Sequence, residues 1–227
     1  MPNSQNTATR CPLLLFAAIF LAVATVLVAA SFALDGATDA FVRQLNGGHW
    51  CRVGWVSFLS LYGDWPELML LGGFGYVVAH LLRNTRWKRI ILCAMIASTL
   101  AGMTINLSRL TTGRTRPRAA AEQGWYGPRH DAKWLIGEAD FNSFPSGHTA
   151  TAFGFAGVFL FAAPSCGIPL MVAAISIAAS RILLGAHHLS DVVAAMLVAT
   201  LIAWLVWNFL GRRGRNGNPS VKSSYDP

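Results

Sequence analysis

Six stretches of this chain are apolar and close to bilayer length: residues 12–34, 66–82, 90–107, 146–163, 168–184 and 189–210. About 20 consecutive apolar residues in a helix cross a hydrocarbon layer about 30 Å thick. In hydrocarbon each backbone N–H and C=O needs a partner inside the protein, which leaves helices as the natural solution for such runs. The expected fold is therefore all-α: a polytopic membrane protein with six transmembrane helices in one bundle. No internal repeat or second domain breaks residues 1–227. Charged residues make up 12% of the chain, against about 25% in soluble domains.

The first run is longer than the roughly 7–15 apolar residues of a signal peptide, so it is expected to be a retained anchor. Within it, Ala29-Ala30-Ser31 would suit a peptidase. Residues 35–65 are mixed. Phe41, Leu45, Trp55, Leu59 and Tyr62 recur at helical spacing there, as in short helices lying in the membrane interface or in a packed loop. The net charge of +8 fits Lys- and Arg-rich cytoplasmic loops better than nucleic-acid binding, because no basic helix carries interleaved stacking aromatics. The four cysteines, Cys11, Cys51, Cys93 and Cys166, show no CxxC spacing and are expected to be free thiols.

Six spans place both termini on one side. The positive-inside rule puts the basic loop 83–89 and the tail 212–215 in the cytoplasm. Segments 35–65, 108–146 and 185–188 then fall outside. Arg109, Arg114, Arg116 and Arg118 fall outside too, against the rule, and an anionic ligand would explain them.

The polar residues near the outer ends of these spans form three clusters. Pro145-Ser146-Gly147-His148 opens the fourth span. Ser is a good N-cap, the first helical turn has unpaired N–H groups at a positive dipole end, and Gly147 admits a ligand close to the backbone. This is an anion site with His148 beside it; by itself the tetrapeptide is also an ordinary helix start. His187 and Asp191 stand four residues apart. On a helix they would share a face, with Asp191 taking a proton from one ring nitrogen and leaving the other as a nucleophile. An Asp close to the bilayer needs a partner or a function. Arg181 needs a partner as well, and phosphate suits its planar fork. Arg109 and Arg116, seven apart, would face one site if both were helical, although Gly113 and Pro117 point to a helix end nearby. Three arginines and a helix N-terminus suit a transferring phosphoryl group. His148, His187, His188 and Asp191 read alternatively as a zinc cluster, which three arginines would repel. His188 reads as a packing or interfacial residue.

The three clusters together resemble the signature of the type 2 phosphatidic acid phosphatase family, K-x6-R-P, P-S-G-H and S-R-x5-H-x3-D. Here Arg109 to Arg116-Pro117 stands for the first part, Pro145-Ser146-Gly147-His148 for the second, and Ser180-Arg181, His187 and Asp191 for the third. Arg109 departs from the usual Lys: the charge is kept, but the hydrogen-bond geometry changes. The resemblance implies His187 as nucleophile through a phosphohistidine, Asp191 as its orienting group and His148 as general acid. It implies Arg109, Arg116, Arg181, Ser146 and Gly147 as the phosphate cradle, with no metal and no cofactor. The implied substrate is a lipid phosphate in the bacterial inner membrane, processed on the periplasmic face: lipid A, undecaprenyl diphosphate, phosphatidylglycerophosphate or phosphatidate. A lipid phosphotransferase would use the same residues. A non-enzymatic membrane carrier with an intramembrane His/Arg site is the alternative of another class.

Overall fold

The structure is a computed structural model that describes residues 10–212. The tail 213–227 and residues 1–9, expected in the cytoplasm, lie outside the described residues. Seven α-helices carry the fold: α1 (Arg10–Leu45), α2 (Gly54–Leu61), α3 (Trp65–Leu81), α4 (Thr85–Thr112), α5 (Gly147–Ala162), α6 (Pro164–Leu183) and α7 (Leu189–Val206). A π-helical turn, Trp207–Gly211, prolongs α7. The loop from α4 to α5 holds a hairpin of two short antiparallel strands, β1 (Arg129–His130) and β2 (Lys133–Trp134), and a 3-10 turn, Ala139–Phe141.

Four segments have the length and apolar composition to cross a bilayer: Ala18–Leu45, Thr85–Thr112, Pro164–Leu183 and Leu189–Gly211. Helices α3 and α5 are shorter, with 17 and 16 residues. Leu21, Val26, Leu70, Phe74, Leu81, Met103 and Val172 are all more than half exposed. A surface of that kind is expected of helices solvated by acyl chains rather than water.

The helix ends follow local signals. Asp64 N-caps α3 with Pro66 in the first turn, and its side chain accepts from the Trp65 amide at 2.9 Å. Asn84 caps α4 by accepting from the Trp87 amide at 3.2 Å. Gly113 ends α4 in the left-handed region at φ 55°. A Cβ at Gly113 would lie 2.0 Å from the Gly127 carbonyl oxygen, so glycine is required twice over.

Helix α5 is the axis of the bundle, and every residue from Thr149 to Phe159 is buried. It packs against α4, α6 and α7. Small residues allow the close approach: a Cβ at Gly154 would meet the Ala97 carbonyl at 2.9 Å, and one at Gly157 would meet the Ala203 Cβ at 2.8 Å. Where surrounding lipid is as apolar as the side chains, such close packing replaces the hydrophobic effect in holding helices together.

The mixed segment 35–65 differs from a pair of interfacial helices. Helix α1 runs on to Leu45, 36 residues in all or roughly 54 Å at 1.5 Å per residue, and only Gly54–Leu61 forms a separate short helix. A hydropathy reading stops at Asp35, a charge at the end of an apolar run, but Asp35 has buried partners that let the helix continue.

Candidate active site

The three sequence clusters meet at one end of the bundle. Arg109 lies in the last turn of α4 and Arg181 in the last turn of α6. Ser146 is the N-cap of α5, and Asp191 is in the first turn of α7, just after His187. The basic residues that open α4 are at the other end, where Arg89 donates to the Gly211 carbonyl at 3.3 Å.

Arg109 and Arg116 do not share a helix face, because α4 stops at Thr112 and Gly113 turns the chain. Arg116 reaches the site on a loop whose amide donates to the Asp140 carbonyl at 2.8 Å. Arg109 Nε donates to the Pro145 carbonyl at 2.8 Å, which ties the first motif to the second. A Cβ on Gly147 would stand 3.1 Å from the Arg109 guanidinium, so a larger residue would crowd the space between the arginine and the α5 N-terminus. Ser146 is fully buried but does not cap the first turn. Its Oγ accepts from Thr149 Oγ1 at 2.9 Å, and the early N–H groups of α5 stay open to an anion. Arg181 donates through Nη1 to Ser60 Oγ. The Nε atoms of Arg116 and Arg181 are buried without a hydrogen-bond partner. Burial, and then the charge of Arg118, pushes the Arg116 guanidinium below its ordinary pKa. Buried donors of this kind are normally satisfied, and phosphate oxygens are the kind of acceptor a guanidinium pairs with.

His187 is 1% exposed. Its Nδ1 lies 2.6 Å from the Ser143 carbonyl oxygen and 3.7 Å from Asp191 Oδ2. The direct His–Asp hydrogen bond expected from the spacing is therefore absent, because His187 precedes α7 and the two residues do not share a helical face. A carbonyl can only accept, so Nδ1 carries the proton and Nε2 keeps its lone pair. Burial, against the opposing pull of Asp191, brings the His187 pKa down to about 3, and the ring is neutral at pH 7.

Asp191, fully buried, accepts from Arg114 Nη1, from Ser143 Oγ and, at 2.8 Å, from the His188 amide. It holds Ser143 by its hydroxyl, and the carbonyl of the same Ser143 holds His187. Asp191 thus acts on the imidazole through Ser143. Arg114 also donates to Asp35 Oδ2 at 2.7 Å, and Asp35 accepts from the Ser190 amide at 2.8 Å and from Ser190 Oγ. The Phe32 and Trp125 rings cover the Arg114 guanidinium at 5.2 and 4.8 Å. His188 is bonded through Nδ1 to Asp39 Oδ2 at 2.8 Å and through Nε2 to the Thr115 carbonyl at 3.2 Å, so it fastens α1 to the site rather than merely packing.

Sequence reasoning missed Arg114, Asp35, Asp39, Ser143 and Asp64. The signal for Arg114 was present, as a positive charge on the wrong side of the membrane, and two carboxylates answer it. Asp35 and Asp39 are i and i+4, one face of a helix continuing past the apolar run. Ser143 acts mainly by its carbonyl, which no side-chain pattern reports.

His148, in the first turn of α5, faces Asp64, with Nε2 3.8 Å from Oδ2. Both line a cavity of about 570 Å³ together with Arg109, Gly147, Trp65 and Met103. Among the described residues no three His, Cys, Asp or Glu side chains converge as metal ligands.

A membrane helix bundle with arginines, two histidines and a helix N-terminus gathered at one end defines a class of phosphate-handling membrane proteins. The sequence pattern of the PAP2 superfamily matches residues 87–215, more than half of the chain, and the chain belongs to that superfamily. The lipid A 1-phosphatase of Rhizobium etli is 32% identical over 96 residues, which cover 42% of this chain and 40% of the relative. The undecaprenyl-diphosphatase BcrC of Bacillus subtilis is 33% identical over 130 residues, covering 57% of this chain and 62% of the relative. Matches to these curated relatives thus span less than two thirds of their length. Among solved structures, a PAP2-type phosphatidylglycerolphosphate phosphatase from Bacillus subtilis superposes with a TM-score of 0.59 at 19% identity, over 85% of this chain and 94% of that one. LpxE of Aquifex aeolicus superposes with a TM-score of 0.51 at 21% identity, over 75% and 94%. At these identities the structural likeness concerns the fold.

Proposed function

We propose that this chain is a metal-independent membrane lipid phosphatase working through a phosphohistidine on His187. The observation that carries this reading is a buried neutral imidazole with its Nδ1 proton tied to the Ser143 carbonyl, beside arginines with unfilled donors. The family membership and the relatives' names support it, and the substrate we assign is a lipid mono- or diphosphate of the lipid A, undecaprenyl diphosphate, phosphatidylglycerophosphate or phosphatidate kind.

In the first step Nε2 of His187 forms a bond to phosphorus while the bond from phosphorus to the lipid oxygen breaks. The electron pair leaves on that oxygen, which takes a proton from the His148 imidazolium. Arg109, Arg116, Arg181 and the open N–H groups at Ser146–Gly147 hold the charge spreading over the equatorial oxygens. In the second step neutral His148 takes a proton from water, the water oxygen bonds to phosphorus, the P–N bond breaks, and inorganic phosphate leaves. Three guanidinium groups supply the positive charge that a metal would otherwise bring.

We place the site on the periplasmic face of the inner membrane in a single six-span domain, with α3 and α5 as the short second and fourth spans. The basic loop 83–89, at the opposite end of the bundle, supports this orientation through the positive-inside rule. Cys51 is buried and would report poorly. Asp131 at the hairpin tip, with an 89% exposed side chain, is a better probe. Asp131→Cys should react with an impermeant thiol reagent on intact spheroplasts and Thr85→Cys should not; the reverse pattern overturns the topology.

The purified protein should release inorganic phosphate from lipid phosphates in the presence of EDTA. With a 32P-labelled substrate it should carry an acid-labile, alkali-stable label that His187→Ala loses. Label that moves to a second lipid instead of water would identify a phosphotransferase. Absence of both label and phosphate release over the four lipid classes would sink the reading.

A further inference from the structure

We propose that Asp64 is the positioning residue of the general acid: its carboxylate holds and charge-balances His148 for protonation of the departing lipid oxygen. The inference deepens the phosphatase reading and rests on it. Burial and the guanidinium groups of Arg181, Arg109 and Arg116 oppose a charge on His148, and among the described residues Asp64 is the carboxylate that faces it. Like charges at close range disfavour a protonated ring, and an opposing charge offsets part of that. The position of Asp64 is built rather than incidental. Oδ1 is occupied by the Trp65 amide at 2.9 Å, which fixes the carboxylate plane and leaves Oδ2 towards His148 Nε2 at 3.8 Å. The Gly63 carbonyl, next in the chain, accepts from Thr151 Oγ1 at 2.6 Å, which pins this corner to α5 one turn after His148. A Cβ at Gly63 would meet Ile177 Cγ2 at 2.2 Å, so the corner sits tight against α6 as well.

When the lipid oxygen leaves, the P–O bond breaks and the proton passes from His148 to that oxygen. The imidazolium becomes neutral and Asp64 remains beside it, ready to favour reprotonation by the attacking water. Asp64 takes no proton and makes no bond to phosphorus, so its loss should be felt only where the leaving oxygen needs a proton.

The test compares Asp64→Asn and Asp64→Ser with the parent, using the purified full chain on an alkyl lipid phosphate and on p-nitrophenyl phosphate. Asn and Ser are both good N-caps, so the start of α3 survives either substitution. General acid catalysis contributes roughly a hundred- to ten-thousandfold, and losing its positioning group should remove about ten- to a hundredfold of kcat on the alkyl substrate. KM should hold, and the aryl substrate, whose phenolate leaves unaided, should lose less than about threefold. Equal losses on both substrates would show a structural residue only, and no loss on either would show a bystander; both overturn the assignment to Asp64. His148→Ala serves as the reference. If it hits both substrates equally, the acid role itself fails and the proposal falls with it, whereas a leaving-group effect in His148→Ala without one in Asp64→Asn removes Asp64 alone.

Discussion

The two halves of the site are built on opposite plans. Around Asp191, Arg114, Ser143, Asp35 and His188 nearly every polar atom has a partner, each charge has a counter-charge, and the groups are at most 8% exposed. Around Arg109, Arg116 and Arg181 positive charges crowd together and two buried Nε atoms have none. The first half resembles a core and the second a binding site before its ligand arrives. Buried charge is tolerated only when compensated, so the first half should contribute to folding, and the second should cost stability in exchange for affinity for a phosphoryl group.

The sharpest test lies on the border between the halves. His187→Ala should reduce turnover to background on every substrate, while thermal unfolding in detergent stays cooperative. Turnover near the parent level would remove the nucleophile and, with it, the division of labour. Next, Arg114→Met should act on stability first. Deleting one partner of a buried ion network typically costs about 3–5 kcal/mol, and here two carboxylates, Asp35 and Asp191, would be stranded. A variant that unfolds at the parent temperature would show that the locked half is not structural. Arg181→Met should do the reverse. Removing a donor aimed at developing charge costs about 2.7–4 kcal/mol of the barrier, roughly a hundred- to a thousandfold in kcat, with the melting temperature unchanged or raised. A drop in stability like that of Arg114→Met would erase the comparison.

Proton linkage gives a smaller effect. The His187 pKa of about 3 is below the unfolded value of about 6.5. Between these two pH values the unfolded chain holds a proton that the native state does not. Stability should therefore be intact above about pH 6.5 and fall on acidification towards 3, by up to about 1.4 kcal/mol per pH unit. The slope should flatten in His187→Asn, and equal slopes would mean the ring is not held neutral. The smallest effect is expected at Arg109, which stands where the resembled signature usually has Lys. Arg109 makes one backbone contact through Nε, to Pro145, so Arg109→Lys should retain activity within about tenfold of the parent, while Arg109→Ala should lose the hundredfold or more of a missing donor. Full activity in Arg109→Ala would take this arginine out of the phosphate site.

The sequence was legible where one residue type has one physical use. Long apolar runs dictate helices, Gly113 and Pro66 mark helix ends, and the three polar clusters were recognisable as phosphate chemistry. It was least legible where a partner comes from elsewhere in the chain. The i, i+4 spacing of His187 and Asp191 suggested a direct bond, but the helix begins between them and Ser143, more than 40 positions away, occupies that place. Asp35 looked like the end of a helix because its counter-charge, Arg114, is 79 residues distant.

By itself, then, the sequence determined an all-helical chain, the boundaries of most apolar segments and, as candidates, the three polar clusters that meet at one end of the bundle, because hydropathy and side-chain chemistry are local properties. The tertiary structure alone decided which arginine is a strut and which keeps an unfilled donor. Arg114 and Arg116 are two residues apart and chemically identical, and only the carboxylates that the folded bundle brings to the first, and withholds from the Nε of the second, set them apart.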